Sequence, residues 1–447
     1  MYGLCGFLEG VILGMLSGLV LKDVMGLRNF LKKDWVYWVM CLLYLNWILI
    51  WYNLHLCEFG SWLVWIKIDS LSIVLLVLGY WLGVQCTVRN NGVFWVLWSL
   101  LLVLVGLLTE DLIWLFISLE GLLFPVYFWL MKKGSRLRKL RGGSLLLGYT
   151  GLGGLFYLGG TLVVYWNTGS TSFDSLLMVD EGLSFWLWIF YGIAFGTKLP
   201  LIPFHMWLTE AHVEASTEGS MFLAGILLKM GGYGFIRLNV EGLGVAIGLG
   251  FYIMVYLGVL TMVMASATTL VQTNLKRWVA YGSISHMGMV LIGLVVGNEV
   301  GYMGGIIQMI SHGIVSSGLF LCVGLLYEYI GTKNIWYLTG LSQTWSYWVF
   351  FFLVFCLGNV GLPFTSGFVG EFGILLGLVD FSLMLGLWGG VSMFLVLWST
   401  KWVFLRLVGG NTKLLVYGMG LLEFSMLCVM GVLVVFLGIF PGLVYVL

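Results

Sequence analysis

Seven ionisable side chains stand in stretches of this chain that are otherwise apolar. Glu120 lies within DLIWLFISLEGLLFPVYFWL, Lys198 and His205 within FGTKLPLIPFHMWL, and Lys229 within GSMFLAGILLKMGGYGFIR. His286, His312 and Glu371 sit in similar surroundings. A lysine at bilayer depth costs roughly 2.5–3.5 kcal/mol on insertion scales, so it is rarely ornamental. Lysine, histidine and carboxylate share one capacity that needs no cofactor: each can take up and release a proton. Lys229 is the hardest to explain as packing. It is ten residues past Gly219 and eight short of Arg237, and its stem cannot easily reach either surface from there. Lys198 could equally snorkel to an interface. A lone buried histidine is more often a satisfied core residue than a relay. Three histidines beside two carboxylates and two lysines favour a proton path.

The elements that carry these groups must be broken. Pro200 and Pro203 follow Lys198, and Pro363 precedes Glu371. Proline removes a helical N–H and clashes one turn back, which predicts interruptions near 200–203 and 363–367. Irregular backbone at membrane depth survives only where protein or water satisfies it. A charged group beside a broken helix is the usual mark of a transport path.

Composition sets the class. Of the 447 residues, 61% are hydrophobic and 9% charged, against about 25% charged in ordinary soluble domains. The apolar runs are continuous rather than alternating, which excludes a β-barrel. Windows of about 20 residues give fourteen spanning segments: 4–21, 35–52, 70–88, 93–108, 112–131, 143–166, 182–208, 219–238, 242–264, 274–296, 300–327, 346–379, 381–405 and 418–446. A net charge of +1 gives no case for nucleic acid. Cys5, Cys41, Cys57, Cys86, Cys322, Cys356 and Cys428 show no C-x-x-C spacing, so neither a metal centre nor an iron–sulfur cluster is expected. No nucleotide-binding glycine motif follows a strand pattern. No cofactor is expected in this chain.

Charge sets the orientation. Apart from Lys198 and Lys229 inside segments, only Lys67 and Arg237 break a simple rule: every other Lys and Arg follows an odd-numbered segment. Such asymmetry would not survive a miscounted helix, and it places both termini away from the positive side. The densest run, Lys132–Arg141, is expected on that side, against anionic phospholipid. In the first segment Gly6, Gly10, Gly14 and Gly18 share one face, a packing feature. The seventh and twelfth segments both carry Leu-Pro beside an ionisable group, which predicts an inverted repeat of segments 4–8 and 9–13. The fold expected is an all-α polytopic membrane protein divided at 1–92, 93–238, 239–406 and 407–447. The wealth of Gly, Val, Leu, Trp and Phe and the scarcity of Pro, Gln and His suggest a strand-biased gene of an organelle genome.

Five stretches carry a family resemblance: KLPLIPFHMWL with AHVEA (198–215), GSMFLAGILLKMGGYGFIR (219–237), LKRWVAYGSISHMG (275–288), QMISHGIVSSGLFLCVGLLYE (308–328) and GLPFTSGFVGEF (361–372). Over roughly residues 110–405 the chain resembles the antiporter-like membrane-arm subunits of NADH dehydrogenase, the mitochondrial respiratory complex I, and among them the subunit 4 family. That family carries a glutamate in the fifth helix, lysines in the seventh and eighth, and an ionisable group in the twelfth. Glu120, Lys198, Lys229 and Glu371 stand in those places. Glutamate at the last position favours subunit 4 over subunits 2 and 5. Thr209 and Ser216 replace usual prolines, and Asn274 a usual aspartate.

The resemblance implies proton translocation, with the redox chemistry in other subunits. Glu120 would pair with Lys198, Lys229 would be the central carrier, His286 and His312 would bridge, with water, toward Glu371, and His205 would support the path. It also implies subunits 2 and 5 as partners, phospholipid (cardiolipin included) around the chain, and the mitochondrial inner membrane as its site, with a bacterial plasma membrane as runner-up. Two rival readings are a stand-alone cation/proton antiporter and a purely structural membrane subunit.

Overall fold

The computed structural model describes residues 69–89, 93–131, 136–244, 249–410 and 418–442. The expected segments 4–21 and 35–52 lie outside them. The apolar runs fold as helices because backbone away from water must satisfy its own N–H and C=O groups. In chain order the helices are α1 (Ser70–Arg89), α2 (Val93–Leu108), α3 (Leu112–Met131), α4 (Arg136–Thr168), α5 (Glu181–Lys198), α6 (Met206–Glu214) and α7 (Thr217–Gly242). They continue as α8 (Leu249–Thr269), α9 (Leu275–Val295), α10 (Glu299–Ile330), α11 (Ser346–Val360), α12 (Ser366–Phe381), α13 (Leu383–Val408) and α14 (Leu421–Ile439). Among the described residues there is no strand, and nine helices are long and apolar enough to cross a membrane.

The middle of the bundle is α7, α9 and α10, whose apolar stretches are more than nine-tenths buried, against a third for α13 and α14. Trp114, Phe124, Leu155, Trp166 and Phe394 point outward. An exposed apolar surface of that extent marks a lipid or protein contact. Lys229, His286 and His312 are buried on these three helices.

Both expected interruptions are present. Helix α5 stops at Lys198, and helix resumes only at Met206. The indole Nε1 of Trp207 donates to the orphaned Thr197 carbonyl at 2.8 Å, and Leu201 N–H donates to Gly196 O at 2.9 Å. The span expected at 346–379 is two helices. Gly361, at φ +66°, closes α11 in a left-handed conformation that suits glycine. Helix α12 begins five residues later at Ser366.

Helices α10 and α12 touch through glycine. A Cβ on Gly304 would lie 2.6 Å from Ile374 N and 2.8 Å from Gly373 C. One on Gly377 would lie 2.6 Å from Gly301 Cα, and one on Gly370 2.7 Å from Gln308 N. Two backbones thus meet directly, which only residues without side chains allow.

Helix α7 is not uniformly α. Leu223–Leu227 and Ile236–Gly242 wind as π-helix, an irregularity common at functional sites.

Two isolated β-bridges recur in matching places: Asp111 with Ser172 and Asn274 with Asn334. Each ties the start of one helix to the end of the next. Leu112 N–H donates to Thr171 O and Phe173 N–H to Glu110 O; Leu275 N–H donates to Lys333 O and Ile335 N–H to Thr273 O. Asn274 accepts from Lys276 N–H at 3.0 Å, and Ser216 accepts from Gly219 N–H at 3.2 Å. Both unusual residues therefore act as helix N-caps, a role that Asn and Ser fill well.

Candidate functional site

The seven residues singled out above fall into two clusters and one outlier. The first cluster is a pair. Lys198, at the last position of α5, donates from Nζ to Glu120 Oε1 at 2.9 Å. Lys198 is buried, and Glu120 is partly so. Gly154 on α4 makes the room, because a Cβ there would lie 2.7 Å from the Glu120 carboxyl carbon. Two unit charges 4 Å apart interact by about 4 kcal/mol at an effective dielectric near 20.

The second cluster is a file of side chains through the most enclosed helices. Lys229 is 2% exposed. Its Nζ donates to Ala224 O at 2.6 Å and meets His312 Nδ1 at 2.7 Å. Ala224 is inside the π-helical turn, where regular α-helix bonding is interrupted, so its carbonyl can face the ammonium. The His312 and His286 rings are 5.7 Å apart between centroids. His286 Nδ1 lies 3.2 Å from Glu371 Oε1. Gln308 links these two, its Nε2 being 3.2 Å from both His286 Nδ1 and Glu371 Oε1. Asn359 Oδ1 is 3.2 Å from His286 Nε2. Gln308 is held in turn by Ser311 Oγ, which donates to its Oε1 at 3.2 Å.

Glu371 owes its place to the glycine seam. Gly370 beside it lies against the Gln308 backbone, and a Cβ on Gly361 would strike its carboxylate. Glu371 is 1% exposed, on the second turn of α12, with its carboxylate against Gly361 at the end of α11.

The two clusters adjoin without a direct side-chain contact. A Cβ on Gly231, two residues past Lys229, would lie 2.9 Å from Lys198 Cβ. The outlier is His205. It is half-buried at the start of α6, with Tyr281 as its ring neighbour at 6.1 Å, and it joins neither cluster.

Sequence reasoning passed over Gln308, Asn359, Ser311 and the Ala224 carbonyl. Gln308 had a signal: it precedes His312 by four, so it shares a helix face with it. His212 was passed over too. It is fully buried and stacked on Phe320 at 4.4 Å, and both of its ring nitrogens lack partners. Among the described residues no group of His, Cys, Asp or Glu could hold a metal ion.

The basic run divides. Lys132 and Lys133 lie outside the described residues. Lys139 is turned inward, donating to Met131 O at 2.9 Å at the end of α3, while Arg138 and Arg141 face outward.

Comparison with known proteins gives a consistent result. Residues 109–397 match the family described as NADH:quinone oxidoreductase/Mrp antiporter, transmembrane. NADH-ubiquinone oxidoreductase chain 4 of Chondrus crispus is 34% identical over 444 residues, covering 93% of this chain and 90% of the relative. A chain of respiratory complex I from Thermus thermophilus superposes with a TM-score of 0.83 at 25% identity, over 97% of this chain and 95% of that one. A chain of the Mrp complex from Dietzia sp. superposes with the same TM-score at 17% identity, over 97% and 94%, a likeness of fold.

Proposed function

This chain belongs to the NADH:quinone oxidoreductase/Mrp antiporter transmembrane family, and from that membership we propose that it is the proton-translocating, antiporter-like subunit 4 of the membrane arm of respiratory complex I. NADH oxidation and quinone reduction take place in other subunits, and this chain moves protons without a cofactor of its own. The observation that carries the reading is the buried file Lys229–His312–His286–Glu371, with two of its three steps at 2.7 and 3.2 Å. A structural subunit has no need of such a file. Similarity to a chain 4 relative along nearly the whole length favours the complex I subunit over a stand-alone antiporter.

The hydrogen bonds suggest how a proton passes. An ammonium has only donors, so the Nδ1 that faces Lys229 accepts, and the His312 proton sits on Nε2. A proton arriving at Nδ1 from Lys229 frees the one on Nε2. His286, with Nε2 toward Asn359 Oδ1, presents Nδ1 to Glu371. Water or a ring rotation bridges the gap between the histidines. Glu120 and Lys198 load the path, since breaking their pair changes the charge that Lys229 senses.

We propose the finer architecture as well: fourteen spanning segments, with 93–238 and 239–406 as inverted five-helix repeats flanked by 1–92 and 407–447. Its support is the pair of β-bridges, each tying the second helix of a proposed repeat to the end of its third, and a helix break in each half. In the mitochondrial inner membrane the basic loops face the matrix. Subunits 2 and 5 flank the chain, and phospholipid, cardiolipin included, meets Arg138 and Arg141. Protease added to the matrix side is expected to cut between 132 and 141. Cutting only from the opposite side would overturn this orientation.

Glu371→Gln tests the path. The amide keeps the Gln308 contact but cannot carry a proton. The rate of NADH-driven proton uptake in the reconstituted complex is expected to fall about 10²-fold, the lower end of about 10²–10⁴ for a positioned acid or base. A wild-type rate would remove Glu371 from the path.

A further inference from the structure

The short helix α6 is gripped by three cations, two at its C-terminal end and one at its middle, all from the second half of the chain. Lys276 Nζ donates to Ala215 O at 2.7 Å, and Lys333 Nζ donates to Val213 O at 2.8 Å. Arg277 Nη2 donates to Glu210 Oε1 at 2.6 Å. The last carbonyls of a helix have no partner within it, and the helix dipole makes that end favourable for positive charge. Here it receives two ammonium groups.

The placement is costly for the cations' own helix. Lys276 and Arg277 are the second and third residues of α9, at the end where the dipole disfavours a cation. Lys276 is also 2% exposed. The Ala215 carbonyl and the nearby Glu218, Glu328 and Glu214 carboxylates, all from outside α9, offset these costs.

The two lysines are built as one unit. Lys333 precedes Asn334, Lys276 follows Asn274 by two, and the Asn274–Asn334 bridge holds the two segments together. The Tyr327 ring lies 4.4 Å from Lys333 Nζ and fixes it from the other side. Burial holds the Lys333 ammonium below its ordinary value, with the Glu214 carboxylate opposing and Arg138 adding to the shift.

At its other end α6 is tied to the first half. Trp207 donates to Thr197 O, next to Lys198. Toward the C-terminal end, His212 packs on Phe320 of α10 in the second half. The joint to α7 is only Ala215–Ser216. Helix α6 therefore spans from the Lys198 break to the helices that carry His286 and His312.

We propose that Lys276, Lys333 and Arg277 form a clamp that positions α6, and through it holds the Lys198 break in register with the histidines of the second half. They are positioning residues and carry no proton themselves. The effect on pumping rests on the proton-path reading above; the effect on α6 does not.

The test is hydrogen exchange on the purified, detergent-solubilised complex carrying Lys276→Met with Lys333→Met. Amides of residues 211–217 are expected to exchange about tenfold faster, matching loss of a charge–dipole contact at the strong end of its range. Proton uptake per NADH should fall in the same variant, and Lys276→Arg with Lys333→Arg should restore both. Unchanged exchange in the methionine variant overturns the clamp. Faster exchange with wild-type pumping overturns its positioning role. Faster exchange in a complex where Lys229 variants still pump would instead remove the proton path.

If the methionine variant does not assemble, the Arg277–Glu210 pair decides. Arg277→Glu and Glu210→Arg should each speed exchange in 206–214, and the double reversal should bring it back. Neutral single variants, or a double reversal that fails to rescue, would show that the pair does not hold α6.

Discussion

Replacing Lys229 is expected to stop proton transfer whichever residue takes its place. Lys229→Ala removes the carrier and leaves His312 Nδ1 and Ala224 O facing a cavity. Lys229→Arg keeps the positive charge, but a guanidinium does not release its proton in a protein. Arginine must also fit beside Gly313, where an added Cβ would lie only 3.3 Å from the lysine Cε. Both variants should lose about 10²-fold or more in proton uptake, the scale of a positioned acid–base group. The arginine variant is the sharper test, because it preserves the positive charge. The assay is NADH:quinone turnover with proton uptake in the reconstituted complex, with assembly followed by native gel. An assembled Lys229→Arg complex that pumped at wild-type stoichiometry would make Lys229 a packing residue.

The second large effect falls on a residue with no side chain. Gly304→Val would place a Cβ 2.6 Å from Ile374 N and 2.8 Å from Gly373 C, backbone atoms that cannot swing aside. Overpacking a core typically costs about 1–3 kcal/mol, more where nothing can yield. Helix α12 should be displaced, taking Glu371 from His286 and Gln308. The complex is expected to lose thermal stability and to pump poorly. Gly148→Val is the control, since nothing lies within 4 Å of a Cβ there. Equal tolerance of the two substitutions would show that the seam does not position Glu371.

How much of this could be read beforehand depended on the kind of signal. The helix breaks were legible because proline removes a donor that no neighbour replaces, and both breaks stand where Leu-Pro stands. The charged residues of the path were legible because a cost of several kcal/mol needs a reason. Gln308 and Asn359 carry no charge and so raise no such alarm, yet both touch His286. The Ala224 carbonyl could not be anticipated at all, since every residue has one and only backbone geometry decides where it points. The span expected at 242–264 also proved displaced: Gly242 closes α7, and α8 runs on to Thr269. A hydropathy window does not mark a helix end when small residues such as Ala265 and Ser266 continue the helix. The grip on α6 was hidden for a different reason. Lys276, Arg277 and Lys333 looked like topology signals, and their acceptors lie about 60, 70 and 120 residues away.

The π-helical turn at Leu223–Leu227 also sets the angular phase of α7. Each residue of an α-helix advances about 100° around the axis, so a turn that holds one extra residue rotates everything beyond it by about that amount. Upstream of the turn, Glu218 faces Arg89 at 3.6 Å; downstream, Lys229 faces His312. A regular helix over the same residues would satisfy one of these alignments and turn the other away. The inserted residue works as a vernier: it lets one continuous helix meet two neighbours whose directions do not fit a single 3.6-residue period.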